Sequence, residues 1–489
     1  MDLRNLSRFE LKRVIETLGE RCGNDVVRGA VTSIVGSKTL ETVTGDGTAE
    51  KNVLDTGNSV EPDANVSKSD MKRKADDVQE LVETKKVKIG KKGKKARKPF
   101  DMEYFAQRQI ALHVTYFGEY YRGFALQDNN DRTVEHQIFQ ALSKAKLITD
   151  PAKCGYSRCG RTDAGVSAMG QIISLCVRSA LTQPLPAEAS KPATKTREFT
   201  GKGLPKQAQG VTDADEIDYP YILNKILPDD ILVLGWAPCP SLSFKARFNA
   251  ESRTYRYYFL RRDLDLNKMR EAAKMLEGTH DFRNLCKMDV LNVKNFIRRI
   301  NEVEVAEMED PEMCYFRVNG SAFLYNQIRH IAQVLFLVGR RLEEPDIVPY
   351  LLDVENNPRK PMYDIAAGEP LNLFESEYPD LSFKYSGRNL SMLRERLDRR
   401  YAQFKIKSTM TKQVVDYMSN LQVYGEGKKF AESDHHERYE GDFFNKRSNW
   451  RKGYVSLKSR NTQESYEERV DKLSKERKAK VKLYHGWDI

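Results

Sequence analysis

The run YSRCGRTDAGVSA, residues 156–168, leads into an apolar stretch at 171–177 that reads as a buried strand. Gly160 and Gly165 bracket Asp163 and permit a tight backbone path. Arg158 and Arg161 stand close to it in sequence. A carboxylate held beside guanidinium groups has its ionised form favoured. That suits a nucleophile or a general base and not a proton donor. The same residues also make an ordinary turn, in which Asp163 caps the reversal and Arg161 pairs with it on the surface. Local sequence leaves both readings open.

The flanking pattern predicts the fold. Upstream, Ile110, Leu112, Val114 and Tyr116 alternate as in a half-buried strand, and Val134, Ile138, Ala141, Leu142 and Ala145 repeat with helical period. Further strands are expected at 231–236, 254–260 and 313–318, and helices at 268–276 and through Ile328, Ile331, Ala332, Leu335 and Val338. Strands interleaved with amphipathic helices in two rounds predict an α+β fold of two related halves, a mixed or antiparallel sheet flanked by helices, over 104–260 and 261–388. Residues 1–35 are expected to hold one short amphipathic helix. Residues 36–103 read as a disordered basic linker, and 182–218 as a disordered surface insertion. The extension 389–489 is expected to carry one helix at 390–404 and a basic one at 464–482.

The 489 residues are 40% hydrophobic and 31% charged, enough for one large core or two modest ones. No stretch approaches the roughly 18 to 20 apolar residues of a membrane helix, and the first residues lack an apolar signal region. No membrane partner is expected, and the chain reads as intracellular. Its seven cysteines are odd in number, scattered and free of CxxC pairs. Neither a disulfide framework nor a metal is expected, and Cys154 and Cys159 read as small buried hydrophobes. The formal charge of +11 suggests a nucleic-acid partner, but it is concentrated at 85–98 and in the last 44 residues. The basic patches at 72–74 and 85–98 fit nuclear localisation, RNA tethering or a solvated linker. P-loop, GxSxG, HExxH and strand-coupled GxGxxG signatures are missing.

Five segments, in order, resemble the TruA family of tRNA pseudouridine synthases. GRTDAGVSA at 160–168 is similar to the family's GRTDAGV-H/S-A element, and YFGEYYRGFALQ at 116–127 to YDGxxFxGWQxQ. NKILPDD at 224–230 resembles N-x-x-LP-x-D, and FKARFNAESRTYRY at 244–257 resembles F-x-AR-F-x-A-x-x-R-x-Y-x-Y. SAFLYNQIRHIAQVLFLVG at 321–339 resembles the late helix, AF-x-x-x-x-VR-x-I-x-x-x-L-x-x-VG. Phe124 and Ser167 depart from the bacterial pattern. Together with GTHDFRNLCKMDV at 278–290 they resemble the eukaryotic branch that modifies positions 38 and 39 of tRNA.

The resemblance implies the pseudouridine synthase fold, a tRNA substrate, a homodimer and no cofactor, with the nucleus and cytoplasm as the expected compartments. It implies Asp163 as the catalytic carboxylate, attacking sugar or base or removing a ribose proton. Tyr255 would stack on the flipped base, with Tyr257 packing in the core. Arg329 would hold Asp163 ionised. Arg161 would hold the RNA backbone or fill the space left by the uridine, with Arg158 beside it and Phe323 lining the pocket. His280 and Asp281 are expected to serve a turn or cap.

Overall fold

Alternation in the first predicted strand produces β1 (Gln107–Tyr116), the spine of the first half. The computed structural model describes residues 100–128, 130–195, 213–432 and 453–473. Ile110, Leu112, Val114 and Tyr116 enter one core, yet Ala111 and Thr115 on the opposite face are buried as well. The strand is therefore central and covered on both sides, where its alternation predicts half burial. Helix α1 (Val134–Lys144) starts where the Thr133 hydroxyl accepts the His136 N–H at 3.3 Å. Its stripe of Val134, Ile138, Ala141 and Leu142 fills the same core.

Strand β2 (Ser157–Arg158) and strand β3 (Ser167–Arg178) run antiparallel to each other, and β3 lies antiparallel along β1. On the other edge of β1 sit β4 (Ser190–Lys191) and, after the short helix α2 (Tyr219–Asn224), β5 (Ile231–Pro238). The second half comprises β6 (Ser252–Leu260), helix α3 (Leu266–Lys274), β7 (Gly278–Asp281), β8 (Ile297–Glu307) and β9 (Met313–Gly320). Helices α4 (Gln327–Gly339) and α5 (Ile347–Leu352) follow, then β10 (Leu371–Glu377). Strands β10, β6, β9, β8 and β7 lie side by side, all antiparallel, over a second core that includes Phe316, Ile331 and Leu335.

The halves join into one ten-stranded sheet through a short parallel contact, in which Asn372 and Leu373 of β10 lie beside Ser167 and Ala168 of β3. An α+β fold with a mostly antiparallel sheet agrees with the sequence pattern. Strand β6, however, pairs with β9 and β10, so the division after residue 260 falls one strand too late. Strand β8 escaped the pattern because a register shift between Ile300 and Glu302 breaks its alternation, spacing the inward Ile300, Val303 and Val305 unevenly. Strand β10 escaped because only Leu371 and Leu373 of it are buried, too short an alternation to mark a strand.

Four expectations about the insertion and the extensions change. The ends of the 182–218 insertion belong to the fold, and 196–212 lies outside the described residues. Arg108, 1% exposed, binds Asp213 at 2.8 Å and Glu216 at 3.0 Å, donates to the Leu185 carbonyl and lies over the Trp236 ring. Glu216 also accepts from Ser179 Oγ (2.7 Å) and from the Ala180 and Ile217 N–H groups. These pairings across the fold carry no local sequence signature. The expected linker reaches past 99, yet Met102 is already buried at the start of the described chain, and 1–99, with the expected helix of 1–35, lies outside it.

In the extension, helix α6 (Gly387–Ser419) is twice as long as predicted, and its Asn389 is buried against the Val233 and Leu234 carbonyls of β5. Residues 453–473 dock on the second core: Leu457 is buried, and Glu343 accepts Tyr454 Oη and the Leu457 N–H, both at 2.6 Å. Helix α7 (Tyr466–Asp471) is closed by a Ser465–Glu468 capping box and is not the long basic helix expected; 474–489 lies outside the described residues. Among the described residues, no helix is long and apolar enough to cross a membrane.

Truncating Glu216 removes one of the two carboxylates on the buried Arg108 guanidinium and leaves Ser179 Oγ and two N–H groups without their acceptor, each buried group left unsatisfied costing about 1 to 3 kcal/mol. Glu216→Ala is therefore expected to lower the unfolding free energy by about 3 kcal/mol in urea titration. An unchanged midpoint would contradict the anchoring role of this network.

Candidate active site

The loop between β2 and β3 is held from every side. Gln171, fully buried on β3, donates to the Gly160 carbonyl at 2.9 Å and accepts the Gly160 N–H at 3.2 Å. Tyr116 Oη meets Thr162 Oγ1 at 2.7 Å, and the Phe124 N–H donates to the Thr162 carbonyl at 3.1 Å. The Gly165 N–H donates to the Tyr121 carbonyl, and Gly165 adopts φ +79°, which an L side chain resists. Ser167 Oγ accepts the Gly118 N–H at 3.0 Å. At Gly118 a Cβ would lie 2.1 Å from the Val166 carbonyl oxygen, so only glycine lets the two segments close.

Residues 116–127 thus act as a clamp on the loop, and 224–230 braces the clamp. Tyr121 Oη donates to Asp230 Oδ1 at 2.7 Å, while Asn224 exchanges hydrogen bonds with the Val233 backbone.

Asp163 projects from this fixed loop with its side chain 25% exposed, open to a cleft of about 880 Å³. That volume falls among ligand clefts of roughly 300 to 1,000 Å³. Arg329 of α4 brings Nη1 to 3.7 Å from Asp163 Oδ2. Its Nε donates to the Ala366 carbonyl at 2.7 Å, and the Ala366 N–H donates back to the Arg329 carbonyl, so the guanidinium is pinned. Burial pushes the Asp163 carboxyl above its ordinary range, and the positive charges of Arg329 and Lys287 oppose it. Of the three arginines that the sequence reading offers as stabilising charges, Arg329 is the ion-pair partner of Asp163, and neither Arg158 nor Arg161 pairs with it among the described residues.

Tyr255 of β6 stands opposite Val318 and Leu373, packs against both cores, and sets its ring edge-on to Phe323 with centroids 5.3 Å apart. Burial raises its phenol, so the resting hydroxyl is protonated. Tyr257 is buried and stacked on Phe316 at 5.3 Å. Asp163, Tyr255, Phe323 and Arg329 line the same cleft, with Arg158 and Arg161 on its wall. Arg158 is committed to an ion pair with buried Glu135 of α1, which also accepts the Leu126 N–H, so it braces the site and is not free for substrate. Arg161 is exposed and forms no ion pair among the described residues.

Asn326 takes a left-handed conformation (φ 59°) and α4 starts at Gln327, so Tyr325 lies outside the helix that carries Arg329. Asp281 binds the Arg283 N–H and guanidinium at the end of β7, and the His280 ring lies 2.8 Å from the Glu277 carbonyl across the turn before that strand. Lys287 was missed: its Nζ sits 5.0 Å from the Tyr325 ring centroid, and a lone loop lysine has no pattern to reveal it. The six described cysteines are free and buried, Cys154 and Cys159 among them. Among the described residues, no three His, Cys, Asp or Glu side chains gather where they could hold a metal.

A family model described as tRNA pseudouridine synthase matches residues 272–379. The chain is 40% identical over 329 residues to the tRNA pseudouridine(38/39) synthase of Bos taurus, covering 65% of each chain. To the Homo sapiens protein of that name it is 39% identical over 340 residues, covering 67% of this chain and 68% of the relative. To the Saccharomyces cerevisiae protein of that name it is 38% identical over 317 residues, covering 63% and 67%. The match thus spans about two thirds of these relatives, and slightly less of the cattle protein.

A carboxyl whose folded pKa is raised stabilises the fold in acid and loses that contribution as pH rises through the raised value. At neutral pH the ionised Asp163 is therefore a cost to folding. Asp163→Asn should melt at or above the wild-type temperature at pH 7, with its advantage shrinking as pH falls. A variant that melts well below wild type would contradict the strain assigned to this carboxylate.

Proposed function

The chain belongs to the TruA-type family of tRNA pseudouridine synthases, and from that premise we propose that it converts uridines 38 and 39 of tRNA to pseudouridine, with Asp163 as the catalytic carboxylate. One observation carries the reading: Asp163, Tyr255 and Arg329, from three distant segments, line one cleft at the seam between the half-sheets. Its electrostatics suit an isomerisation. The C1′–N1 bond breaks, C1′–C5 forms, a proton leaves C5 and N1 gains one, so no electrons are exchanged and no cofactor is called for.

Attack on sugar, attack on base and removal of a ribose proton all begin from an ionised Asp163. Arg329 supplies the nearby positive charge and, pinned by Ala366, aims it. Tyr255 offers a ring on which an extruded uracil stacks, and its protonated hydroxyl supports stacking over proton abstraction at rest. Arg161, with no ion pair among the described residues, is suited to a phosphate or to the gap the uridine leaves.

The proposal includes a second copy of the chain. Helix α6 is about 50 Å long, and its outer half exposes Ile406, Met410, Val414 and Tyr417 at helical spacing. A stripe of that kind marks an interaction surface, and a twofold pairing of α6 with its copy would cover it. The nucleus and cytoplasm remain the proposed compartments.

Asp163→Asn should abolish pseudouridine at positions 38 and 39 in mapped tRNA while affinity for tRNA stays within about threefold; retained turnover would sink the assignment. Replacing Arg329 with Gln removes a charge that lowers the Asp163 pKa. The acid limb of the single-turnover rate should move to higher pH, with a loss of about 100-fold at neutral pH from misplacement. An unshifted limb would count against the pairing. Val414→Glu with Tyr417→Glu should convert a dimer into a monomer in sedimentation; an unchanged dimer would exclude α6 as the interface.

A further inference from the structure

Phe248 is 78% exposed at the wall of the cleft, although the turn that carries it is fastened to the frame at every other residue. Lys245 Nζ donates to the Gly155 carbonyl at 3.2 Å, and its N–H donates to Asn249 Oδ1 at 2.9 Å. Ala246 is buried, its N–H on Ser174 Oγ and its carbonyl on Tyr378 Oη. The Arg247 N–H donates to Ser157 Oγ, and its carbonyl accepts Arg253 Nη2 at 2.7 Å. A turn fixed this firmly places the Phe248 ring without the entropy of a mobile loop, and nothing in the fold requires an aromatic there. A rigidly placed aromatic ring at a cleft rim offers a flat face for a ligand to cover.

The surroundings specify what covers it. The Arg247 guanidinium lies 5.5 Å from the centroid of the Phe248 ring. Arg247 and Arg161 are both exposed, line the same cleft and form no ion pair among the described residues. A fixed aromatic face beside unneutralised guanidiniums fits a nucleobase on its own phosphate backbone. The target uridine itself is accounted for deeper in the cleft, between Asp163 and Tyr255. Extruding it breaks the stack on both sides and exposes the face of a neighbouring base.

We propose that Phe248, backed by Arg247, is a stacking platform for the base next to the target uridine, a positioning site that holds the RNA strand open at the mouth of the cleft. The proposal rests on the RNA-modifying reading of the cleft. It adds a reason why the extruded state persists: the neighbour's lost stacking is replaced by the protein.

The test compares wild type, Phe248→Ala and Phe248→Tyr on an anticodon stem-loop RNA and on two versions with an abasic nucleotide immediately 5′ or 3′ of the target. Loss of one base–aromatic stack weakens binding by roughly 5- to 150-fold. Phe248→Ala should raise Kd and KM within that range while the single-turnover rate at saturating RNA stays near wild type, and Phe248→Tyr should restore both. At one abasic position wild-type affinity should fall to that of Phe248→Ala, and the substitution should then cost nothing further. Normal binding of the intact RNA by Phe248→Ala, or an equal loss on all three RNAs, would overturn the platform. A shift in sedimentation without a change in RNA affinity would also overturn it, assigning the ring to a protein contact. Because Phe248 is exposed, its melting temperature should be unchanged, which separates the effect from misfolding. If wild type binds these RNAs but forms no pseudouridine, the catalytic reading fails while the binding comparison still decides the platform.

Discussion

Asp163 and Arg329 face each other across 3.7 Å at the seam between two half-sheets, and the rest of the site is arranged around that contact. Asp163 belongs to the loop entering β3, and Arg329 to a helix packed in the second core. The halves meet in the sheet through a two-residue parallel pairing immediately after the Asp163 loop. The carboxylate is therefore placed by one core and its countercharge by the other. Burial works against ionisation, so the pair requires both partners to be immobile. The Ala366 backbone serves this for Arg329, and the 116–127 clamp serves it for Asp163.

Most of the motif positions support this arrangement without touching the cleft's chemistry. Gly118 exists because a side chain would collide with the Val166 carbonyl, and Ser167 because its hydroxyl takes the Gly118 N–H. Asn224 ties β5 to α6 through Asn389, and Asp230 takes the Tyr121 hydroxyl. Arg158 is spent on Glu135, which fixes α1 against β2. The residues left free to meet a substrate are few: Asp163, Tyr255 and the exposed Arg161, Arg247 and Phe248.

Apolar runs and periodicity revealed β1, β3, β5, β6, β9, α1, α3 and α4. They missed β8, where a register shift displaces the inward positions by one residue, and β10, in which only Leu371 and Leu373 are buried. The Arg108, Asp213 and Glu216 network joins segments about a hundred residues apart, and no window of sequence contains it. Asp163 itself was ambiguous in its own run. Its neighbours offer Arg158 and Arg161 as stabilising charges, since proximity along the chain is all a local reading sees; only the resemblance pointed to Arg329, which the folded chain brings to Asp163. Phe248 passed unnoticed for a related reason: one aromatic in an aromatic-rich segment looks like core until its exposure is known.

The account predicts where the reacting nucleotide sits. In a structure of the Asp163→Asn protein bound to its tRNA, one uridine of the anticodon arm should be extruded, its uracil against the Tyr255 ring and its C1′ within about 3.5 Å of the side chain at position 163, the reach of a near-attack geometry. A uridine that remains stacked, or one extruded into a site remote from Tyr255 and Arg329, would contradict the claim that the seam between the half-sheets is where the chemistry occurs.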